Sequence, residues 1–268
     1  MYKRLASSSK SLPLKRPEPI VVKDRDEEKE FKRSKAKPTR DFSFVDGFDH
    51  YNHRQKAQVR KIFSDLAPKI DKQIEGIYTG LDGHLREMMS QPRINVVSLA
   101  SGEGQEFPGL LSYCEKRGVD LNYVGIDNQD LVISDTIIQF KQYGNHTFYA
   151  TDASSAKAVC ALPEVADPGK TDMVIMRHPE MFGPYGSSFM KMLTEVAPNL
   201  LKKGGFVNIS FYFKQEHDNF VELFKANKYG LKSTFKFVSR KVNKNGVTLE
   251  TMGRPQTVDH YQILLKLK

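Results

Sequence analysis

The chain has no hydrophobic run long enough to cross a membrane, and it has few cysteines. No apolar stretch in its 268 residues approaches the roughly 18–20 residues that a spanning helix needs. No apolar segment follows the basic pair Lys3-Arg4, so we do not expect a secretory signal. The two cysteines, Cys114 and Cys160, fall in patterns typical of amphipathic helices, which favours buried reduced thiols over a disulfide. We therefore expect a cytoplasmic protein with no membrane span.

The sequence also has no group of metal-ligating residues with the spacing of a metal site. No cluster of cysteine and histidine has the spacing of a zinc site. The segment 172–182 has no triplet of carboxylates that would suit a catalytic metal. We expect no metal.

Outside its first 40 residues, the chain has little excess charge of either sign. The net charge is +9, and residues 1–40 carry 13 basic and 6 acidic groups, which leaves 28 and 26 for the rest. This proline- and serine-containing arm, residues 1–41, has too few apolar residues to form a core and should be disordered. Its block 32–37 could touch nucleic acid, an anionic membrane or an acidic partner. A solvated arm with no specific partner is the alternative.

One stretch, residues 94–104, organises the rest of the chain. It indicates a short buried strand that runs into a turn of small residues containing Gly102 and Gly104. The apolar positions that follow have helical spacing: Phe107, Leu110, Leu111 and Cys114. A strand, a glycine-bearing turn and a helix form the first half of a βαβ unit, whose turn presents backbone N–H groups to a ligand.

The turn fits the dinucleotide-binding fingerprint poorly. That fingerprint needs G-x-G-x-x-G, whereas the next glycine after Gly102 and Gly104 is Gly109. Glu103 also places a negative charge where a pyrophosphate would lie, although a cationic ligand would be tolerated. A tight β-to-α turn of an α/β protein that binds no ligand there is the alternative.

Two further predicted strands end in carboxylates. Asp127 ends the strand over 121–127 and is followed by Asn128, and Asp152 ends the strand over 147–152. An acid at the end of the second strand can accept hydrogen bonds from both ribose hydroxyls of a nucleoside. For Asp152 the alternative is an N-cap of a helix over 156–162.

The stretch around the turn resembles motif I of the class I S-adenosylmethionine-dependent methyltransferases. Val96 and Val97 stand for its hydrophobic strand, while Ser98 replaces the usual acid and Ala100 replaces the first glycine. The resemblance implies a site for S-adenosylmethionine. Its implied residues are Ala100, Ser101, Gly102 and Gly104 for the methionine part, Asp127 for the ribose, and Asp152 with Ala153 for the adenine. Glu103 and Asn128 are further expected cofactor-binding residues.

The segment after the fourth predicted strand resembles motif IV of this family, which lies beside the transferable methyl group. It lacks the N/D-P-P-Y/F signature and offers Arg177, His178 and Glu180 as candidate catalytic residues. Methyl transfer requires alignment of the acceptor and in some cases removal of a proton. His178 could be the base, and Arg177 could hold an anionic acceptor or contact the cofactor. The alternative is that these residues shape the loop.

The C-terminal part completes the predicted fold. Gly204-Gly205 precedes a fifth buried strand, and Asn245-Gly246 predicts a hairpin between the strands over 233–243 and 247–251. A last strand covers 261–267. The resemblance implies a Rossmann-like α/β fold: a mostly parallel seven-stranded sheet with helices on both faces, C-terminal antiparallel strands and an N-terminal helical cap.

We divide the chain into the basic arm 1–41, a helical cap over 42–92 and a methyltransferase domain over 93–268. Tyr51, in the cap, occupies the place where an aromatic side chain often covers the ligand in this family. The implied activity is methyl transfer from S-adenosylmethionine, with a small molecule as acceptor. Two alternatives stay open: an RNA or protein methyltransferase that uses the basic arm, and a cofactor-binding interaction protein without turnover.

Overall fold

The computed structural model describes residues 71–268 except 142, 166, 168, 180, 182–185, 212, 243–246, 252–253 and 259–260. The basic arm, most of the predicted cap, Tyr51, Glu180 and the turn at Asn245-Gly246 therefore lie outside the described residues. No helix within the described part is long and apolar enough to cross a membrane.

Strands and helices alternate along most of this region. The strands are β1 (Arg93–Leu99), β2 (Asp120–Asp127), β3 (His146–Ala150), β4 (Thr171–Arg177), β5 (Leu201–Phe211), β6 (Phe235–Val242), β7 (Val247–Thr251), β8 (Arg254–Val258) and β9 (Tyr261–Leu267). The helices are α1 (71–79), α2 (Asp82–Leu85), α3 (Glu106–Glu115), α4 (Asp130–Phe140), α5 (Ala156–Val159), α6 (Gly186–Lys191), α7 (Ala197–Leu200), α8 (Lys214–Lys225) and α9 (Leu231–Thr234). Single turns of 3₁₀ helix cover Met88–Ser90 and Lys228–Gly230.

Seven strands form one sheet in the order β3-β2-β1-β4-β5-β9-β6. The strands β1 to β5 pair in parallel, whereas β9 runs antiparallel to both β5 and β6. This confirms the predicted α/β class with a mostly parallel seven-stranded sheet. The strand order reverses direction between β1 and β4, and parallel sheets bind ligands at such a reversal, beyond the carboxyl ends of the strands.

A hydrophobic core covers each face of the sheet. Because successive side chains of a strand point to opposite faces, Val96 packs into one core and its neighbour Val97 into the other. The first core lies under α1 to α4, where Leu110 of α3 is fully buried. The second lies under the helical segment 186–200, which includes a π-helical turn at Met192–Val196. The predicted apolar stripe of that segment is confirmed as buried: Phe189, Met192, Leu193, Val196 and Leu200.

The predicted hairpin at Asn245-Gly246 is wrong in its pairing. The strand β6 pairs with β9 inside the main sheet, from Phe235 opposite Leu267 to Val242 opposite Tyr261. The strand β7 pairs with β8 in a separate two-stranded ribbon. The turn signal is local, whereas β9 already pairs with β5 and offers β6 a longer, partly buried ladder. Tertiary pairing therefore overrides the local preference.

Candidate functional site

The candidate site lies where β1, β2 and β4 end together at one edge of the sheet. The register places Leu99 of β1 beside Ile126 of β2, and Ser98 beside Ile175 of β4. The turn after β1, the acid that ends β2 and the residues that end β4 therefore meet at this edge.

The turn after β1 has three residues in the left-handed region of backbone space. They are Ala100 with φ 54°, Gly102 with φ 50° and Gly104 with φ 58°. Ala100 thus adopts a conformation that favours glycine, so its replacement of glycine leaves this type of turn in place. A Cβ added to Gly102 would meet nothing within 4 Å, whereas one added to Gly104 would lie 2.8 Å from the ring of Phe148. The turn is therefore packed tightly on one side and leaves room for a ligand at Gly102.

Asp127 fastens this turn to the end of β2. Its Oδ2 accepts a 2.9 Å hydrogen bond from the Gly102 N–H, and its Oδ1 accepts one of 3.1 Å from the Gln129 N–H. An ionised carboxylate has about four acceptor positions, so both oxygens retain capacity for ligand hydroxyls. Asn128 follows on the exposed side of the site.

Ser101 and Glu103 are the polar side chains within the turn. The Ser101 N–H donates to the Ile126 carbonyl at 2.9 Å. Its Oγ is buried and has no hydrogen-bond partner among the described residues. The half-buried Glu103 accepts a 3.0 Å hydrogen bond from Gln105. An orphaned hydroxyl beside a turn with open space fits a site that a polar ligand or a water completes.

Asp152 and Ala153 lie beside the same edge. The Thr151 N–H donates to the Asp127 carbonyl at 2.7 Å, which brings the two strand ends together. Asp152 is exposed and accepts hydrogen bonds from the N–H and Oγ of Ser154, at 2.9 and 2.7 Å, while Ala153 is buried. The N-cap alternative for Asp152 is wrong, because the Ser155 side chain caps α5.

Glu106 is the site residue that sequence reasoning missed. It is 1% exposed, and its Oε1 accepts hydrogen bonds from Ser98 Oγ at 2.5 Å and from the Tyr123 hydroxyl at 2.6 Å. Burial, together with this carboxylate, raises the pKa of Tyr123 well above its usual value, so the phenol remains a donor. A carboxylate from the first turn of α3 therefore lies against Ser98, the position at which motif I of the class I methyltransferases has an acid. The serine at position 98 was the sequence feature that could have indicated a nearby acceptor, because its buried hydroxyl needs one.

Arg177 ends β4 at this edge, and His178 follows it directly. Arg177 Nη1 lies 3.4 Å from Glu106 Oε2, so the guanidinium faces a buried carboxylate. His178 has φ 51°, and its backbone N–H donates to the Ser210 carbonyl at 2.8 Å. The structure therefore brings Arg177 next to the turn and holds His178 in a backbone conformation that is sparsely populated for residues other than glycine.

Metal ligands are not grouped in this region. Across the part of the chain that the structure describes, no three side chains of histidine, cysteine, aspartate or glutamate are placed to hold an ion. Cys114 and Cys160 are free thiols, and burial raises the pKa of Cys114 to about 12.

Comparison with known proteins identifies the fold. No family model and no curated protein matches the chain. A Listeria monocytogenes protein assigned to the class I S-adenosylmethionine-dependent methyltransferases aligns with a TM-score of 0.51 at 16% identity, over 73% of this chain and 59% of that one. The match thus spans less than two thirds of that protein. The fold is that of the class I methyltransferases, as the sequence predicted.

Other solved structures align with lower TM-scores. The fibrillarin/Nop5p complex matches with a TM-score of 0.45 at 14% identity, over 66% of this chain and 73% of that one. An Aquifex aeolicus SAM-dependent methyltransferase matches with a TM-score of 0.43 at 10% identity, over 69% and 87% of the two chains. The fold assignment rests on the Listeria alignment and on the strand order.

Proposed function

We propose that this chain binds S-adenosylmethionine and transfers its methyl group to a small-molecule acceptor. The observation that carries the proposal is the turn of Ala100, Gly102 and Gly104, fastened by Asp127 at the strand-order reversal of a class I methyltransferase sheet. When bound, the cofactor supplies an electrophilic methyl group on a sulfonium. The residues of this chain bind it, orient the acceptor and exclude water.

Each end of the cofactor has a proposed set of contacts. The turn backbone over 100–104 receives the methionine part, because Gly102 faces open space and Glu103 tolerates a cationic ligand. Asp127 accepts from the ribose hydroxyls with Asn128 beside it. Asp152 and Ala153 lie next along the edge, at the adenine end. The placement of Tyr51 over the ligand, and of Glu180 near the acceptor, remains a sequence-based proposal.

Cofactor binding is tested by calorimetric titration of the full-length protein. We expect micromolar affinity for S-adenosylmethionine and no binding of NAD, since Glu103 would repel a pyrophosphate. Binding of NAD in place of S-adenosylmethionine would overturn the proposal.

We propose His178 as the residue that removes a proton from the acceptor. It is half-buried at the end of β4, and its left-handed backbone is held by the hydrogen bond to the Ser210 carbonyl. The matched variant is His178→Asn, because asparagine also tolerates this backbone conformation but cannot act as the base. We expect turnover to fall about 10²–10⁴-fold with unchanged affinity for S-adenosylmethionine. Unchanged turnover would return His178 to a role in shaping the loop.

The class of acceptor is tested with radiolabelled cofactor. Full-length protein is incubated with methyl-labelled S-adenosylmethionine and separate small-molecule, RNA and protein fractions of a cell extract. We expect label in the small-molecule fraction, in keeping with a body of nearly neutral charge over residues 41–268. Label in RNA or protein that disappears when Lys32, Arg33, Lys35 and Lys37 are changed to glutamine would favour the arm-dependent alternative. Cofactor binding without transfer would favour the interaction protein.

The free cysteines are in keeping with a cytoplasmic location.

A further inference from the structure

The nearly neutral charge of residues 41–268 conceals two parts of opposite sign. Residues 41–200 carry 15 basic and 21 acidic groups, a net charge of −6, whereas residues 201–268 carry 13 and 5, a net charge of +8. The second part contributes the strands β5, β9 and β6 at one side of the sheet, together with the helices α8 and α9. A concentration of positive charge on one side of a protein attracts polyanions.

Three lysines around α9 lack a counter-charge. Lys228, Lys232 and Lys236 are exposed, and none of them forms an ion pair with a carboxylate in the part of the chain that the structure describes. By contrast, Lys225 at the end of α8 lies 2.9 Å from Glu222. The positive charge around α9 is therefore available to an external anion.

Hydrogen bonds gather this region at the amino-terminal edge of the parallel strands. The Lys232 N–H donates to Asn227 Oδ1 at 2.8 Å, and the Lys232 carbonyl accepts from Lys268 Nζ. Lys268 directly follows β9, and its N–H donates to the Thr234 carbonyl at 3.1 Å. Because β9 runs antiparallel to β5, its end lies beside the start of β5. The region is therefore at the edge of the sheet opposite to the turn over 100–104.

Tyr229 is held in solvent between these lysines. Its side chain is 58% exposed, and Lys228 Nζ lies 5.6 Å from the centroid of its ring. Its φ of 58° is in the left-handed region, which a bulky residue rarely adopts, and Asn227 and Gly230 beside it have φ of 53° and 69°. The backbone thus adopts an unfavourable conformation at an aromatic side chain that packs into neither core, which points to a contact with a partner.

We propose that Tyr229 and the three lysines, Lys228, Lys232 and Lys236, form a surface that binds single-stranded nucleic acid. The ring stacks on an unpaired base, and the ammonium groups contact the neighbouring phosphates. A duplex fits poorly, because its bases are already stacked on one another. A membrane also fits poorly, because Tyr229 is the one large hydrophobic side chain exposed between Lys225 and Lys268 among the described residues.

This surface is separate from the proposed cofactor site, since the two lie at opposite edges of the sheet. It holds the chain on a nucleic acid and does not present an acceptor to the methyl group. Binding of nucleic acid and binding of S-adenosylmethionine are therefore tested independently.

Fluorescence anisotropy of the full-length chain tests the stacking contact, with labelled oligouridylate and oligothymidylate of about 12 nucleotides. We expect Tyr229→Ala to weaken binding at least about fivefold, the loss of one stacked base. Tyr229→Phe keeps the ring and should bind within about twofold of the wild type. The slope of log affinity against log salt should stay the same in Tyr229→Ala, because no charge is removed. The oligonucleotide that binds more tightly identifies RNA or DNA as the ligand.

Removal of the lysines should change the salt dependence. Each phosphate contact with a single strand contributes about 0.7 to the slope, so the triple variant with glutamine at positions 228, 232 and 236 should reduce it by about 2. The control variant removes the same charge from three exposed lysines on α1, α5 and α6, through Lys72→Gln, Lys157→Gln and Lys191→Gln. We expect it to reduce the slope by less than about 0.5.

Four outcomes would overturn the proposal. Equal effects of the two triple variants would show that binding follows net charge alone. Loss of binding only after Lys32, Arg33, Lys35 and Lys37 are changed to glutamine would assign it to the basic arm. Equal affinity for a duplex, with undiminished binding by Tyr229→Ala, would exclude stacking. Binding to phosphatidylserine vesicles that depends on Tyr229, without binding of either oligonucleotide, would assign the surface to a membrane.

A measurement on the wild-type chain locates the contact without any variant. Ultraviolet light joins bromouracil in an oligonucleotide to an aromatic side chain that it touches, and mass spectrometry identifies the attached peptide. We expect attachment to the peptide that contains Tyr229. Attachment to other peptides alone would contradict the stacking contact.

Discussion

The Gly102 N–H donates a 2.9 Å hydrogen bond to Asp127 Oδ2, which ties the turn after β1 to the end of β2. The same carboxylate accepts from the Gln129 N–H through its other oxygen. Asp127 is 6% exposed, so both backbone donors depend on it within a largely buried environment. One residue therefore both shapes the turn and lines the proposed ribose site.

Replacing Asp127 should affect stability as well as cofactor binding. Asp127→Ala leaves two backbone N–H groups without their acceptor, and we expect a loss of about 1–3 kcal/mol in the free energy of unfolding. Asp127→Asn keeps one acceptor oxygen and should lose less stability, but it should still weaken S-adenosylmethionine binding. Urea unfolding and calorimetry measure the two effects.

The exposed Asp120, at the other end of β2, provides the control for this series. Its ion pair with Arg93 is 3.5 Å long and both side chains are more than 60% exposed. Asp120→Ala should therefore change stability by less than about 1 kcal/mol. Unaltered cofactor affinity in folded Asp127→Ala would contradict the ribose assignment.

Ala100 should accept glycine with a gain in stability. Its φ of 54° lies in the left-handed region, which costs an L-residue about 1–2 kcal/mol. The larger conformational entropy of glycine in the unfolded chain offsets about 0.4–1 kcal/mol of this. We therefore expect Ala100→Gly to raise the free energy of unfolding by up to about 1.6 kcal/mol, measured by urea titration.

The matched control is an alanine with helical backbone. Ala158→Gly, within α5, should lower stability by about 0.5–1 kcal/mol, because there glycine brings the entropic penalty alone. If Ala100→Gly lowered stability by as much as Ala158→Gly, the strain assigned to Ala100 would be wrong.

Features of the fold and site that depend on neighbouring residues could be predicted from the sequence. The turn over 100–104 and the acids Asp127 and Asp152 follow directly from strand ends, and the structure places all of them at one edge. The apolar stripe of 186–200 follows from helical periodicity. Each of these signals lies within a single segment of chain.

The features that could not be predicted from the sequence depend on contacts between residues that are far apart in the chain. An acid in the first turn of a helix is ordinarily exposed and stabilised by the helix dipole. Glu106 is buried because Ser98, Tyr123 and Arg177 converge on it from 8, 17 and 71 residues away. The strand β6 similarly selects β9 over the nearer β7. Neither the burial of Glu106 nor the pairing of β6 with β9 can be predicted from the spacing of neighbouring residues in the sequence.

Stability should fall with mild acid because of His217. This fully buried imidazole accepts a 3.2 Å hydrogen bond from Arg240 Nε, and its Nδ1 lies 3.0 Å from Asp218. Burial lowers its pKa, which Asp218 partly opposes and Arg240 and Lys214 reinforce. The unfolded chain therefore binds a proton at about pH 6.5, before the folded chain does, so stability decreases as pH falls through and below that value.

A substitution at His217 isolates this contribution. His217→Gln can still donate to Asp218 and accept from Arg240, yet it does not titrate. The loss of unfolding free energy between pH 7.5 and 5.5 should therefore be smaller in His217→Gln than in the wild type. Burial also lowers the pKa of His146. This histidine should therefore leave a smaller dependence of stability on pH in His217→Gln. Exposed His84→Gln is the control, and an equal reduction of the slope in that variant would contradict the assignment to His217.

An acid at position 98, where motif I of the class I methyltransferases has one, should destabilise this chain. Ser98 Oγ lies 2.5 Å from Glu106 Oε1 and is 1% exposed, so Ser98→Asp places two carboxylates together in a buried site. Like charges brought together without solvent are strongly unfavourable. We expect a loss of at least about 3 kcal/mol, measured by urea unfolding at pH 7.5. Ser98→Ala, which removes one hydrogen bond without adding charge, should lose only about 1–2 kcal/mol.

The double variant Ser98→Asp with Glu106→Ser exchanges the positions of the hydroxyl and the carboxylate. The pair then again holds one acid and one donor, so we expect it to regain most of the stability that Ser98→Asp loses. This non-additivity is the signature of direct contact between the two side chains. If the two losses instead add, the damage at position 98 comes from packing alone. The stability of the chain would then not depend on direct contact between the side chains at positions 98 and 106.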